Sequence, residues 1–320
     1  VKAIQVHAFG GPEQLKLDEI PTPKPAAGQV LVKVHAAGVN PYDTYMRAGT
    51  YPIKPQLPYT PGSDAAGVIE SVGEGVKKVK PGDRVYTART LSGAYAEYAL
   101  ALESQVHPLP ATISFAQGSA IYVPYGTAYF ALHNSAEARA SETVLIHGAS
   151  GGVGTAAIQL ARSMGLTVFG TAGTAKGLAL VSKEGAHQAF DHTKPGYTDE
   201  IMKATSGRGV DIVLEMLANV NLSADMKLLA TNGRVIVIGN RGEITINPRD
   251  IMGKRGSIRA FTLWAVTDSE ATDIFAGLNA GLENGTLRPV VGKELPLKDA
   301  AQSHNDILAP GSHGKIALIP

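Results

Sequence analysis

The middle of the chain carries a glycine-rich turn, His147-Gly148-Ala149-Ser150-Gly151-Gly152-Val153-Gly154. Before it stands an apolar run, Val144-Leu145-Ile146. After it come Val153, Ala157, Leu160, Ala161 and Met164, spaced as one face of a helix. A strand that turns through glycines into a helix leaves unpaired N–H groups at the helix start. Glycines also let a pyrophosphate come close to them, and the helix dipole favours its negative charge. A tight turn without a ligand is the bland alternative. The strand on one side and the helix on the other favour a dinucleotide site.

The rest of the chain fits around that turn. Residues 1 to about 120 are rich in short strand-like runs broken by Gly and Pro. Examples are Val30 to His35, Ala65 to Val72, the turn Pro81-Gly82-Asp83 before Arg84-Val85-Tyr86, and an alternating stretch from Gly93 to Leu100. These suggest a small barrel-like domain. Beyond Ser114 strands alternate with helices. Strands are expected at 167–170, 188–191, 210–216, 234–238 and 257–263, and helices at 175–184, 197–205 and 222–230. Two helices, 269–284 and 298–308, precede a last strand, 315–319. Repeated alternation of this kind means a doubly wound parallel sheet with right-handed crossovers, so the fold class is α/β.

Composition narrows the chemistry. The chain has 320 residues, 44% of them hydrophobic, with 29 basic and 28 acidic residues and no cysteine. Thiolate catalysis, disulfides and cysteine-ligated zinc are excluded, and the charge balance gives no sign of nucleic acid or an anionic membrane as partner. No apolar run reaches membrane-spanning length and no signal-like segment opens the chain, so a cytoplasmic location is the expectation. The glycine turn contains no Gly-Lys-[Ser/Thr], which disfavours a P-loop. None of the eleven tyrosines has a lysine four residues later, so the Tyr-x-x-x-Lys pair of short-chain reductases is missing.

The strand at 167–170 runs into Thr171-Ala172-Gly173-Thr174-Ala175-Lys176, with no carboxylate to hold the ribose hydroxyls of NAD. Small hydroxyl residues, a glycine and a cation suit the extra phosphate of NADP, which is the expected cofactor. Lys176 read alone is an ordinary solvated lysine, and a lone His192 is more often a surface or core residue than a ligand.

Several longer runs resemble one family. They are Pro61-Gly62-Ser63-Asp64-Ala65-Ala66-Gly67, Gly38-Val39-Asn40-Pro41, Gly82-Asp83-Arg84-Val85 and Gly148 to Gly154. With Glu215 to Ser223 and Asn247-Pro248-Arg249-Asp250, they resemble the quinone oxidoreductase (zeta-crystallin) branch of the medium-chain dehydrogenase/reductases over nearly the whole chain. The resemblance implies a GroES-like catalytic domain, residues 1–120 and 265–320, around a Rossmann domain, residues 121–264. Zinc-using members carry a His-Glu pair where this chain has Ser63-Asp64, and a cysteine near Val39-Asn40. Metal-assisted alcohol dehydrogenation is therefore disfavoured, and no metal site is expected.

By the same resemblance, Tyr45 and Asn40 are the catalytic-cleft residues, with Tyr45 beside the nicotinamide. Ser150, Gly151, Gly152 and Val153 meet the pyrophosphate. Gly173, Lys176 and His192 lie near the adenosine phosphate. Asn221, Ile238, Gly239, Asn240 and Arg241 line the nicotinamide ribose path, and Phe261, Thr262 and Leu263 close the nicotinamide pocket. Read without the family, Tyr45 is a packed turn aromatic and Asn40 caps the following turn. The implied activity is zinc-independent, NADPH-dependent reduction of ortho-quinones, by one electron to semiquinones. Reduction of enal or enone double bonds is the alternative. Binding of AU-rich RNA, or a structural role in the lens, is the alternative of another class. The implied assembly is a dimer paired through the edge strand 257–263, or a tetramer.

Overall fold

The computed structural model describes residues 1–320, in two compact units. One is Val1–Val123 with Arg288–Pro320, and the other is Pro124–Leu287. The return to the first unit thus falls at residue 288, where the sequence reading placed it at 265. Residues 265–287 belong with the second unit, because the long helix there buries Ile274, Leu278 and Leu282.

The first unit opens with an antiparallel pair, β1 (Lys2–Val6) and β2 (Leu15–Glu19). Strand β3 (Gln29–Val39) is the centre of the larger sheet, and helix α1 (Pro41–Ala48) follows it directly. Then come β4 (Asp64–Val72), β5 (Arg84–Thr87), β6 (Tyr98–Leu102) and β7 (Val106–Pro108), with short helix α2 (Phe115–Gly118) and α3 (Tyr122–Tyr129) leading out. Strand β3 has β4 and β6 as antiparallel partners. The alternating stretch 93–100 forms strand only from Tyr98; Gly93 to Glu97 is irregular and contributes a single bridge, Ala96 to Ala3. Ile4, Val6, Val34, Val39 and Tyr95 pack in one core, with Ile316 and Leu318 from the far end of the chain.

The second unit holds a six-stranded sheet whose neighbouring strands all run parallel. Its elements follow in order: β8 (Thr143–Ile146), α4 (Gly152–Ser163), β9 (Thr167–Ala172), α5 (Ala175–Lys183), β10 (Gln188–Asp191), α6 (Tyr197–Ala204) and β11 (Val210–Glu215). Next are α7 (Ala218–Leu228), β12 (Leu229–Val237), α8 (Arg249–Met252), β13 (Ser257–Ala260) and α9 (Asp268–Glu283). Every residue of β8 is buried, as a central parallel strand requires. The strand order is β10-β9-β8-β11-β12-β13, so the direction of winding reverses between β8 and β11. In open sheets of this kind that reversal leaves a crevice at the strands' carboxyl ends, where ligands bind.

Three boundaries differ from the sequence reading. Helix α7 begins at Ala218, not Leu222, and Leu229-Ala230 already belong to β12. Strand β13 stops at Ala260, and Leu263 opens a short 3₁₀ turn instead of extending it. Strand β13 is nonetheless one edge of the sheet. The chain then returns to the first unit as β14 (Val291–Pro296), α10 (Ala300–Asp306) and β15 (Lys315–Ile319). Strand β15 lies between β14 and β3. No helix is long and apolar enough to cross a membrane.

Candidate functional site

The residues expected around a dinucleotide gather along one edge of the parallel sheet, each just past the carboxyl end of a strand. Ser150 to Val153 follow β8, Gly173 and Lys176 follow β9, and His192 follows β10. Asn221 follows β11, Ile238 to Arg241 follow β12, and Phe261 to Leu263 follow β13. Three of these loops are in close approach. A Cβ on Gly173 would lie 2.8 Å from His192 Nε2, and one on Gly177 would lie 3.2 Å from Ser150 Oγ.

Helix α4 starts at Gly152 behind N-cap Gly151, and no side chain caps it. The N–H groups of its first turn are thus left for an anionic group. Gly154 has to be glycine: a Cβ there would fall 2.4 Å from Gly148 O and 2.5 Å from Ala149 Cα. The turn is therefore folded tightly on itself. Lys176 is exposed in the first turn of α5, whose N-cap Thr174 accepts from Gly177 N at 3.0 Å. No carboxylate lies in this turn, Thr171 to Lys176, so the residues present fit an NADP-type dinucleotide. On the side expected to face the nicotinamide, Ala218 N donates to Gly239 O at 2.9 Å and Arg241 N donates to Asn219 Oδ1 at 2.9 Å, which ties the loop after β12 to the start of α7. Asn240 is exposed, and its Nδ2 donates to Gly242 O at 2.7 Å. Phe261 packs on Phe130 with ring centroids 4.7 Å apart, and Thr262 beside it is exposed.

Directly under this edge lies a buried polar cluster that the sequence did not reveal. His147 Nε2 is 2.9 Å from Asp225 Oδ1, and His147 Nδ1 is 3.2 Å from Thr171 Oγ1. Glu215 Oε2 lies 3.8 Å from His147 Nε2. Glu215 Oε1 accepts from Asn221 Nδ2 at 3.2 Å and from the Leu217 amide. Glu215 and Asp225 are fully buried. Glu215 and Asp225 also face each other, and their carboxyls can hydrogen-bond only when one of them carries a proton. Burial pushes both carboxyls up to about 7 and holds the imidazole below its ordinary value. At neutral pH His147 is therefore uncharged, and the two carboxyls hold a proton between them. The three residues also have ligand atoms within 4.8 Å of one another, a grouping that sequence spacing gave no reason to expect. Asn221, expected at the ribose path, is held by this cluster through Glu215.

In the first unit, Asn40 and Tyr45 sit at the start and middle of α1. Tyr45 is half-buried and Asn40 is buried. Asn40 occupies the N-cap, and its backbone N–H donates to Asp43 Oδ2 at 2.9 Å. Its side chain does not cap the helix. It turns instead to Lys315, whose ammonium donates to Asn40 Oδ1, and to Asp64, whose Oδ2 accepts from Asn40 Nδ2 at 3.0 Å. Asp64 Oδ2 also accepts from Lys315 Nζ at 2.7 Å. Asp43 accepts a further bond from Tyr95 OH at 3.1 Å, and burial raises its carboxyl to about 7. The hydroxyls of Tyr42 and Ser63 bond to each other. Lys315 was not singled out from the sequence; at a strand start it reads as a surface lysine.

Comparison with known proteins agrees with both halves. Residues 26–111 match the family described as alcohol dehydrogenase GroES-like domain, and residues 152–276 match the one described as zinc-binding dehydrogenase. The second description implies a metal, and the residues here do not fit one. The chain has no cysteine, Asn40 and Ser63 offer poor ligands, and a buried ammonium already stands between Asn40 and Asp64. The chain is 53% identical to the quinone oxidoreductase of Rattus norvegicus, over 100% of this chain and 98% of that protein. Among solved structures, Escherichia coli quinone oxidoreductase complexed with NADPH superposes with a TM-score of 0.90 at 32% identity, covering all of both chains. A NAD-dependent alcohol dehydrogenase superposes with a TM-score of 0.93 at 30% identity, again over both whole chains. The chain belongs to the quinone oxidoreductase branch of the zinc-free medium-chain dehydrogenase/reductases.

Proposed function

We propose that this protein is an NADPH-dependent quinone reductase that works without a metal. The observation that carries the reading is the carboxyl edge of the parallel sheet. There an uncapped helix start at Gly151-Gly152 and a carboxylate-free turn ending in Lys176 stand side by side. The relatives named above as quinone oxidoreductases, one of them solved with NADPH, support it.

Bound at that edge, NADPH supplies the reducing equivalents. The chain's own residues bind and orient. The amides at the start of α4 meet the pyrophosphate, with Ser150, Gly151, Gly152 and Val153. Lys176, with Gly173 and His192 beside it, attracts the third phosphate. Asn221 and the loop Ile238 to Arg241 hold the ribose, and Phe261, Thr262 and Leu263 shape the nicotinamide pocket. Tyr45 and Asn40 place the acceptor. A quinone takes up electrons readily and its reduced oxygens can collect protons from water. No buried general acid is needed, and Tyr45 acts by position rather than by proton transfer. The acceptor class is ortho-quinones, reduced by one electron at a time, and the protein acts as an oligomer paired through β13.

The test is NADPH oxidation followed at 340 nm with a panel of ortho-quinones, para-quinones and 2-alkenals, with and without a radical trap. Turnover on quinones with a trappable product is expected. Turnover on 2-alkenals alone would replace the reading with double-bond reduction. No NADPH binding at all would end it.

A further inference from the structure

The first unit contains a buried charge for which the fold alone gives no reason. Lys315 is 2% exposed and Asp64 is 1% exposed. Space for the lysine is made by Gly38, where a Cβ would fall 2.6 Å from Lys315 Cε and 2.1 Å from Ser119 O. A buried ion pair adds little stability over well-packed apolar side chains of the same volume, because both charges must be stripped of water. The pair here does something apolar side chains cannot. It fixes which way round an amide lies. The ammonium donates to Asn40 Oδ1, Asn40 Nδ2 donates to Asp64 Oδ2, and Asp64 Oδ1 accepts from Val123 N at 3.2 Å. Asn40 Oδ1 is thus held on a cation and one amide hydrogen on a carboxylate, which leaves the second amide hydrogen uncommitted.

We infer that Lys315 is a positioning residue for the reaction: its ammonium locks the Asn40 amide with its free N–H presented to a carbonyl oxygen of the acceptor. The inference rests on the proposed placing of the acceptor at Asn40 and Tyr45. An amide turned the other way would offer an oxygen to that carbonyl and repel it. The ammonium is paired directly with one carboxylate, Asp64, and the amide presents its hydrogen-bond donor from that pair. The lysine comes from β15 and the asparagine from the end of β3, neighbours in the sheet, so the lock is built on rigid strands rather than on a loop.

The test uses the full-length protein in two variants. Lys315→Met leaves Asp64 unpaired and is expected to melt early. Lys315→Met with Asp64→Asn removes both charges and is expected to melt near wild type. In the double variant kcat on a quinone falls about 100-fold, the scale of loss for a misdirected positioning group. NADPH affinity, measured by fluorescence titration, stays within about twofold because neither substituted residue is among those placed at the dinucleotide. A double variant with wild-type melting and kcat within about threefold of wild type would overturn the inference. A second readout does not need turnover. In wild type the Asn40 side-chain amide gives two resolved, slowly exchanging 1H–15N signals, and in the double variant they collapse toward free-amide positions. Unchanged signals would also overturn it. Wild-type protein that reduces no quinone would end the functional reading alone, and the amide signals would then decide whether the lock exists.

Discussion

Replacing Asp225 by asparagine isolates the electrostatics of the buried cluster. Both Glu215 and Asp225 are raised to about 7, chiefly by burial. In the unfolded chain such carboxyls lose their protons near pH 4, so between about pH 4 and pH 7 the folded state holds more protons than the unfolded one. The stability gained from that retained proton is complete below pH 4 and is lost as pH rises through 7. Each proton held across about three pH units corresponds to about 4 kcal/mol. Asp225→Asn keeps an oxygen to face His147 Nε2 and adds an N–H that can donate to the Glu215 carboxylate in place of the shared proton. It removes one of the two charges that would otherwise share the site above pH 7. The variant should be more stable than wild type at pH 8 by about 1–3 kcal/mol, a rise in melting midpoint of roughly 2–4 °C for each kcal/mol. At pH 5, where the wild-type pair is protonated, the two proteins should agree within about 1 kcal/mol. The assay is thermal melting followed by circular dichroism at pH 5, 6, 7 and 8. A variant that melts below wild type by the same margin at every pH would refute the reasoning, because the loss would then come from packing and not from charge.

Other outcomes follow from the dinucleotide edge and from α1. Gly154→Ala forces a Cβ to within 2.4 Å of Gly148 O, so the turn must open; a stability loss of about 1–3 kcal/mol and at least about tenfold weaker NADPH binding are expected by melting and titration. Lys176→Glu should weaken NADPH about tenfold while leaving NADH nearly untouched, and equal losses for the two nucleotides would remove Lys176 from the third phosphate. Tyr45→Phe should keep kcat within about threefold and leave the pH–rate profile unchanged, whereas Tyr45→Ala should raise the quinone KM about tenfold; a missing alkaline limb in the phenylalanine variant would instead mark Tyr45 as an acid.

The glycine turn and the strands beside it were legible because their signals are local. A buried parallel strand, a run of glycines and an amphipathic helix all lie within about twenty residues of one another. The start of α7 was not. Its first turn, Ala218-Asn219-Val220-Asn221, is half polar and has no capping side chain, so nothing in the sequence marks a helix start. Strand β13 was drawn too long because Phe261-Thr262-Leu263 has the composition of a strand but packs as a turn against Phe130. The polar clusters were invisible for a different reason. Asp225 sits in α7, and its partner His147 is 78 residues away. Lys315 and Asn40 are separated by 275 residues. Contacts over such distances leave no periodicity, and a charged residue looks the same in a sequence whether water or a carboxylate receives it. The cap at Asn40 shows the limit from the other side: the residue is at the N-cap, as an Asn-Pro pair suggests, but its amide serves a distant lysine.

The interleaving of the two units has a bearing on how the molecule comes into being. Unit two is one unbroken stretch, so it can reach its native state as soon as that stretch has left the ribosome. Unit one cannot, because β3 waits for β15 and the Asn40–Asp64 pair waits for the ammonium that β15 delivers. The usual order of synthesis, earlier parts maturing first, is therefore inverted. Through most of translation the amino-terminal half must persist with a vacant strand position and an uncompensated aspartate, and this half is where help from a chaperone would count most.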